Sequence, residues 1–180
     1  SILSINNGAK VTITGNGTID AKENDCYTIN VKNGDLTIEN GTFYGNVSVV
    51  QVEKGTLSVK GGSFDLHQKW EGSNKYLFNC IDDAYASEEA KVAVSGGTFV
   101  DFDPNVSPER MVDGKTPSFA APGVGITKNE DGSFTAIADM KAQILDAAGN
   151  SVKAYGSLAE AIAAAGDGET VALLADVEQN

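Results

Sequence analysis

Asp82 and Asp83 stand side by side, and Asp101 and Asp103 follow with one residue between them. Two carboxyl groups roughly 5–10 Å apart are what acid–base cleavage of a glycosidic bond requires, so catalysis would rest on these four. The remainder of such a site does not appear. The single histidine, His67, lies between Leu66 and Gln68, and the single arginine, Arg110, falls in a long stretch without strand patterning. Asp82 and Asp83 read instead as turn residues after a strand, and no catalytic residue is assigned. Asp101, Asp103 and Asn105 alternate, with Glu88 and Glu89 one strand earlier. Calcium takes six to eight oxygens, and no EF-hand or nonapeptide calcium repeat is present, so Asp101 and Asp103 are weak calcium candidates only. No cofactor is expected. Trp70, Tyr76 and Tyr85 flank an insertion rich in Lys, Glu, Ser and Asn, and aromatic rings so placed can stack on a sugar face. The competing reading folds Trp70 down over the core.

These residues must be positioned by a repeated element. Val11-Thr-Ile13-Thr-Gly15-Asn-Gly17-Thr-Ile19, Leu36-Thr-Ile38-Glu-Asn-Gly41-Thr-Phe43, Leu57-Ser-Val59-Lys-Gly61-Gly62-Ser-Phe64 and Val92-Ala-Val94-Ser-Gly96-Gly97-Thr-Phe99 share one pattern. An alternating strand runs into Gly, then a small hydroxyl residue, then a large apolar one. β-type units with a period in the low twenties predict a solenoid. Period-2 alternation turns Val/Leu and Ile/Val inward and the column Thr12, Thr37, Ser58, Ala93 outward. Ile19, Phe43, Phe64 and Phe99 form a second inward column. That outward column loses its threonines along the stack, which argues against an ice-binding ladder. A second strand precedes the phrase: Tyr27–Val31, Ser48–Val52 and Leu77–Cys80 align, placing Asn30, Gln51 and Asn79 together. These amides either hydrogen-bond along the stack or face solvent.

The chain has 180 residues, 41% apolar and 21% charged, which fits one domain and part of a second. A net charge of −12 disfavours nucleic acid and anionic membrane as partners. No run approaches the ~18 apolar residues of a membrane span, and the Ser1–Gly8 stretch does not read as a secretory signal. The two cysteines are too few for a disulfide framework. Cys80 shares a register with Val31 and Val52, whereas Cys26 lies five residues ahead of Val31. Strands two apart in a sheet are separated by ~10 Å, beyond the ~7 Å that a disulfide tolerates, so both are expected as free, buried thiols.

Past Phe99 the repeat stops. Residues 101–123 read as a long loop, and Asp131-Gly132 between alternating runs predicts a hairpin. Ala148-Gly149-Asn150 marks a second hairpin. Ser157-Leu158-Ala-Glu160 is a capping box opening a short Ala-rich helix, with Leu158 and Ile162 on one face, and Val171–Val177 reads as a strand.

The Gly-Gly-Thr/Ser-Phe endings resemble the right-handed parallel β-helix of the pectin-lyase-like superfamily. They are most similar to its non-catalytic repeat modules in gut-bacterial surface proteins and in phage fibre or decoration proteins. Asn79–Tyr85 and Val94–Pro104 carry the resemblance, which extends over roughly residues 9–137. It implies an all-β right-handed parallel β-helix of about four coils over 1–125, with an insertion at about 66–91 and the loop at 101–123. A closing hairpin at 126–139 and a cap-like unit at 140–180 follow. Hydrolases of this superfamily carry clustered Asp, Gly-His-Gly and Arg-x-Lys, which His67 and Arg110 do not reproduce.

The stretch Tyr155–Val177 resembles the helix and strand that open such a domain, and reading it into Ser1–Gly8 restores a natural opening. The unit therefore looks permuted. The cap belongs to a tandem neighbour, docks on a second copy, or swings back onto its own first coil. The reading that follows is a non-enzymatic structural module of an extracellular, cell-surface or virion-surface repeat protein. Its partner is itself, head to tail, through Ile2, Leu3 and Ile5 at one end and Leu158, Ile162, Val171, Leu173 and Leu174 at the other. The alternative is a glycan-binding adhesin using Trp70, Tyr76 and Tyr85.

Overall fold

The computed structural model describes residues 1–22, 27–68, 76–109, 111–112, 114 and 116–178. The first half is β1 (Leu3–Ile5), β2 (Ala9–Ile13), β3 (Thr18–Asp20), β4 (Ile29–Val31), β5 (Gly34–Ile38), β6 (Thr42–Gly45) and β7 (Val50–Val52). Then come β8 (Gly55–Leu66), β9 (Phe78–Cys80), α1 (Asp82–Ala86) and β10 (Ala90–Phe99). The remainder is β11 (Gly125–Lys128), β12 (Phe134–Ile137), β13 (Ala142–Leu145), β14 (Ser151–Tyr155), α2 (Leu158–Ala164) and β15 (Thr170–Leu173).

Through β10 the pairing is parallel and follows the alternation. β2, β5, β8 and β10 align Thr12, Thr37, Ser58 and Ala93 in one row and Ile13, Ile38, Val59 and Val94 in another. β1, β4, β7 and β9 form a four-stranded sheet with Asn30, Gln51 and Asn79 in register. The Gly pairs explain the bend within each unit. In β8 and β10 the strand runs through Gly61-Gly62 and Gly96-Gly97 without breaking. A Cβ on Gly61 would collide with the Glu39 carbonyl oxygen, and one on Gly96 with that of Lys60. Gly62 and Gly97 have φ of 101° and 111°, the left-handed region that glycine enters at no steric cost.

The expected right-handed parallel β-helix solenoid is not what the chain builds. β12 joins β10 antiparallel and β11 joins β12 antiparallel, so the eight-stranded sheet is mixed. β13, β14 and β15 form a separate antiparallel sheet, and the strands do not close into one parallel coil. The cause is local. Once the repeat ends at Phe99 the outer edge of β10 would be left open. The Asp131-Gly132 turn, with Gly132 at φ 84°, folds a hairpin onto it.

The core is continuous from Ile5 to Ala136. Its centre is aromatic: Phe43 and Phe64 stack at 5.1 Å, Phe64 and Phe99 at 5.4 Å, and Phe78 meets Phe64 edge-on at 5.2 Å. Gln51 is buried and accepts from Asn79 Nδ2, while Asn30 Nδ2 donates to Glu53 Oε1 at 2.8 Å. The amide column is thus linked along the stack at one step and diverted to a carboxylate at the next.

Candidate functional site: the two ends of the sheet stack

At the first end, β1 and β2 are terminal strands of their sheets, and β3 has a strand partner only in β6. Their outer backbone groups face away from the stack. Ile2 is 57% exposed, Leu3 is half-buried, and Ile5 is 2% exposed. Ile2 and Leu3 are therefore surface residues of this end, whereas Ile5 belongs to the core beneath it.

At the other end, among the described residues, β15 pairs only with β13, which leaves its second edge without a strand. Leu173 and Ile162 are each 60% exposed, while Leu158, Val171 and Leu174 are half-buried. Leu158, Leu173, Leu174, Ala175, Asp176 and Val177 line an open groove. Within the chain, the Leu158–Ile162 face of α2 stays partly open. Ala161 is the buried residue of the helix, on the side where α2 packs against β13 and β14. Ser157 caps the helix by accepting from Glu160 N at 3.3 Å, and its hydroxyl donates to Glu160 Oε2 at 2.8 Å.

A polar network that sequence patterning did not reveal holds this terminal unit. Buried Gln143 accepts from Ile126 N at 2.8 Å and donates to Ser151 Oγ at 3.0 Å. Asp103 accepts from Ser151 N at 2.8 Å and from Ser151 Oγ at 3.0 Å, and Ala154 N donates to Thr127 Oγ1 at 3.0 Å. Gly125 is obligatory here, since a Cβ would meet Ala154 Cβ. The unit is thus seated on its own closing hairpin. Among the described residues, α2 packs on β13, β14 and β15.

The other candidate residues that the structure describes lie elsewhere in the stack. Tyr76 Oη donates to the Pro108 carbonyl at 3.0 Å, and Tyr85 meets Phe119 edge-on at 6.0 Å, so both rings hold the 101–123 segment to the stack. Trp70 and Arg110 lie outside the described residues, as does Cys26. Asp82 and Asp83 open the single-turn helix α1 rather than a plain turn. Asp101 is exposed at φ 52°, and Asp103 is committed to Ser151 and to Asn105 N. Among the described residues no three His, Cys, Asp or Glu side chains come together as a metal site would require. His67 Nε2 lies 2.7 Å from Asp20 Oδ1 and its ring stacks on Tyr44. The hydrogen bond with His67 holds the Asp20 carboxyl below its usual range.

One titratable site escaped the motif search. Glu109 is 6% exposed, and its Oε1 accepts from Cys80 N at 2.7 Å, on the outer edge of β9. Burial, with Asp82 nearby, pushes its carboxyl up to about 7. Cys80 is a buried free thiol that burial and Glu109 push up to about 12, so it is not a nucleophile.

No family model matches the chain, and neither a curated protein nor a solved structure matches it. Among the described residues no helix is long and apolar enough to cross a membrane.

Proposed function

We propose that this chain is a non-enzymatic structural module of an extracellular, cell-surface or virion-surface repeat protein, and that copies join head to tail. The observation that carries the reading is the coincidence of open strand edges with exposed large apolar side chains at both ends. Ile2 lies beside β1, and Leu173 and Ile162 lie on the β15 unit. An unpaired edge is a template for another strand, and strand addition draws affinity from main-chain hydrogen bonds. The two surfaces are different, so contact between them is heterologous, and where its rotation does not close a ring, repetition makes a filament. Tyr76 and Tyr85 are engaged within the fold by Pro108 and Phe119, which weighs against the alternative sugar platform.

Leu173→Asp is the direct test. Leu173 is 60% exposed, so a carboxylate there costs the monomer little, but in a joint it would be buried without a partner. Wild-type protein should form concentration-dependent oligomers in sedimentation velocity and fibres in negative-stain images. The variant should stay monomeric with an unchanged thermal transition. Persistent fibres in Leu173→Asp would place the joint elsewhere. Monodisperse short rods of wild type at every concentration would remove the reading.

A further inference from the structure

Asn-Gly occurs four times in the chain, as Asn7-Gly8, Asn16-Gly17, Asn33-Gly34 and Asn40-Gly41. Such a pair can react with itself. The glycine amide nitrogen attacks the asparagine Cγ, the Cγ–Nδ2 bond breaks, and the side-chain nitrogen leaves as ammonia with the amide proton. The resulting succinimide is opened by water at either carbonyl, which gives aspartate or isoaspartate. Glycine favours the attack because it has no Cβ in the way and few conformational limits. The step needs an exposed turn that can change its dihedral angles and a glycine N–H that no acceptor holds.

The structure separates the four pairs. Gly8 N donates to the Asn33 carbonyl at 2.9 Å. Gly34 N donates to the Lys54 carbonyl at 3.4 Å, and Gly34 is buried in β5, where an added Cβ would lie 2.5 Å from the Ala9 carbonyl oxygen. Asn40-Gly41 is held at the leaving group: Asn40 Nδ2 donates to Asn16 Oδ1 at 2.8 Å. Gly41 is also buried, and its carbonyl accepts from Ser63 N at 2.9 Å. Asn16-Gly17 is freer. Every residue from Thr14 to Thr18 is exposed, and a Cβ on Gly17 would meet nothing within 4 Å. Gly17 N has no acceptor among the described residues. The ties of this turn to the next unit are Thr42 N on the Gly17 carbonyl at 3.0 Å and Asn40 Nδ2 on Asn16 Oδ1. Neither holds the attacking nitrogen or the leaving one.

We propose that Asn16 is a self-modification site, converting to aspartate and isoaspartate through a succinimide with Gly17 ahead of the other three pairs. Water is the co-reactant and ammonia is released. In the aspartate product an oxygen remains for Asn40 Nδ2, and that hydrogen bond becomes charge-assisted. In the isoaspartate product the main chain gains a methylene just before Gly17, which moves the carbonyl that Thr42 N uses. Either product places a new carboxylate in the turn between β2 and β3, at the first end of the stack.

The test is incubation of the folded protein in mildly alkaline buffer, followed by peptide mapping with mass spectrometry, against the same incubation in urea. Unfolded, the four pairs should react at similar rates, since each is asparagine followed by glycine. Folded, Asn16 should keep a rate near its unfolded one, while Asn7, Asn33 and Asn40 slow by about tenfold or more, because they react only through local opening. Gly17→Ala, at a position with open space and no positive φ, should suppress the reaction at Asn16 with the thermal transition retained. Equal rates at all four pairs in the folded protein, or a faster reaction at any of the other three, would overturn the assignment. So would an Asn16 rate that Gly17→Ala leaves unchanged, since the charge would then arise by direct hydrolysis rather than through the ring.

Discussion

Phe64→Ala should lower the unfolding free energy by about 4 kcal/mol, the largest loss expected from any single truncation in this chain. Phe64 is fully buried and central: Phe43 stacks on one side at 5.1 Å, Phe99 on the other at 5.4 Å, and Phe78 closes the edge at 5.2 Å. Truncation removes the ring's transfer free energy and leaves a cavity between rigid strands. Each aromatic pair adds roughly 0.5–1.5 kcal/mol beyond area, though the three do not sum independently. Ile19 is the terminal member of the same column, at its open end, and is only half-buried, so Ile19→Ala should cost about 1 kcal/mol. Urea unfolding followed by fluorescence reads both. If Phe64→Ala proves too unstable to purify, Phe64→Leu keeps most of the volume and should cost about 1–2 kcal/mol. A loss below about 2 kcal/mol for Phe64→Ala would show that the aromatic column is not the spine of the stack.

That column was legible because a strand has only one periodicity. Once Ile19, Phe43, Phe64 and Phe99 sit at equal distance from a bending glycine, parallel pairing must superpose them, and a slip of one residue would turn all of them outward. The same logic fixed the row Thr12, Thr37, Ser58, Ala93. It did not fix the architecture. A repeat states how its own strands pair and is silent on what covers the last one. The antiparallel addition of β12 to β10, which makes the sheet mixed, is specified by Asp131-Gly132, outside the repeat.

The candidate site was legible in part, for related reasons. Exposed apolar positions near a terminal strand, such as Ile2 and Leu173, follow from alternation and from the expectation of an open edge. Ile5 did not separate from them in the sequence, because burial at a stack end depends on whether the next strand covers it, and β4 covers Ile5 by pairing with it through Val31. Spacing put Leu158 and Ile162 on one face of α2 but did not reveal that Ala161 is the residue the chain itself buries. The docking of the last unit through Gln143, Ser151 and Asp103 was invisible, since partners 8 to 48 residues apart leave no periodic trace.

Glu109→Gln should stabilise the protein above pH 7 and remove one slope from its pH–stability profile. The carboxyl is nearly inaccessible and accepts from Cys80 N on the outer edge of β9, so it performs for that strand what a neighbouring strand would. Burial raises its pKa from 4.5 to about 7, with Asp82 adding to the rise and the Cys80 hydrogen bond opposing it. Between pH 4.5 and 7 the folded state holds a proton there that the unfolded chain has released. Stability from this group is therefore complete below about pH 4.5, falls as pH rises through 7, and is flat above. The integrated loss is on the order of 3 kcal/mol at most. Glutamine keeps an oxygen for Cys80 N and never ionises. The difference in unfolding free energy between Glu109→Gln and wild type, measured in urea from pH 4 to 9, should grow with pH and level off near pH 8. Asp20, Asp131 and Asp146, whose pKa values are lowered, lose their contribution as pH falls, but they are common to both proteins and cancel. A difference that does not change with pH would mean that folding does not raise the Glu109 pKa, and that the 101–123 segment rests on Tyr76 and Phe119 rather than on a carboxyl held protonated.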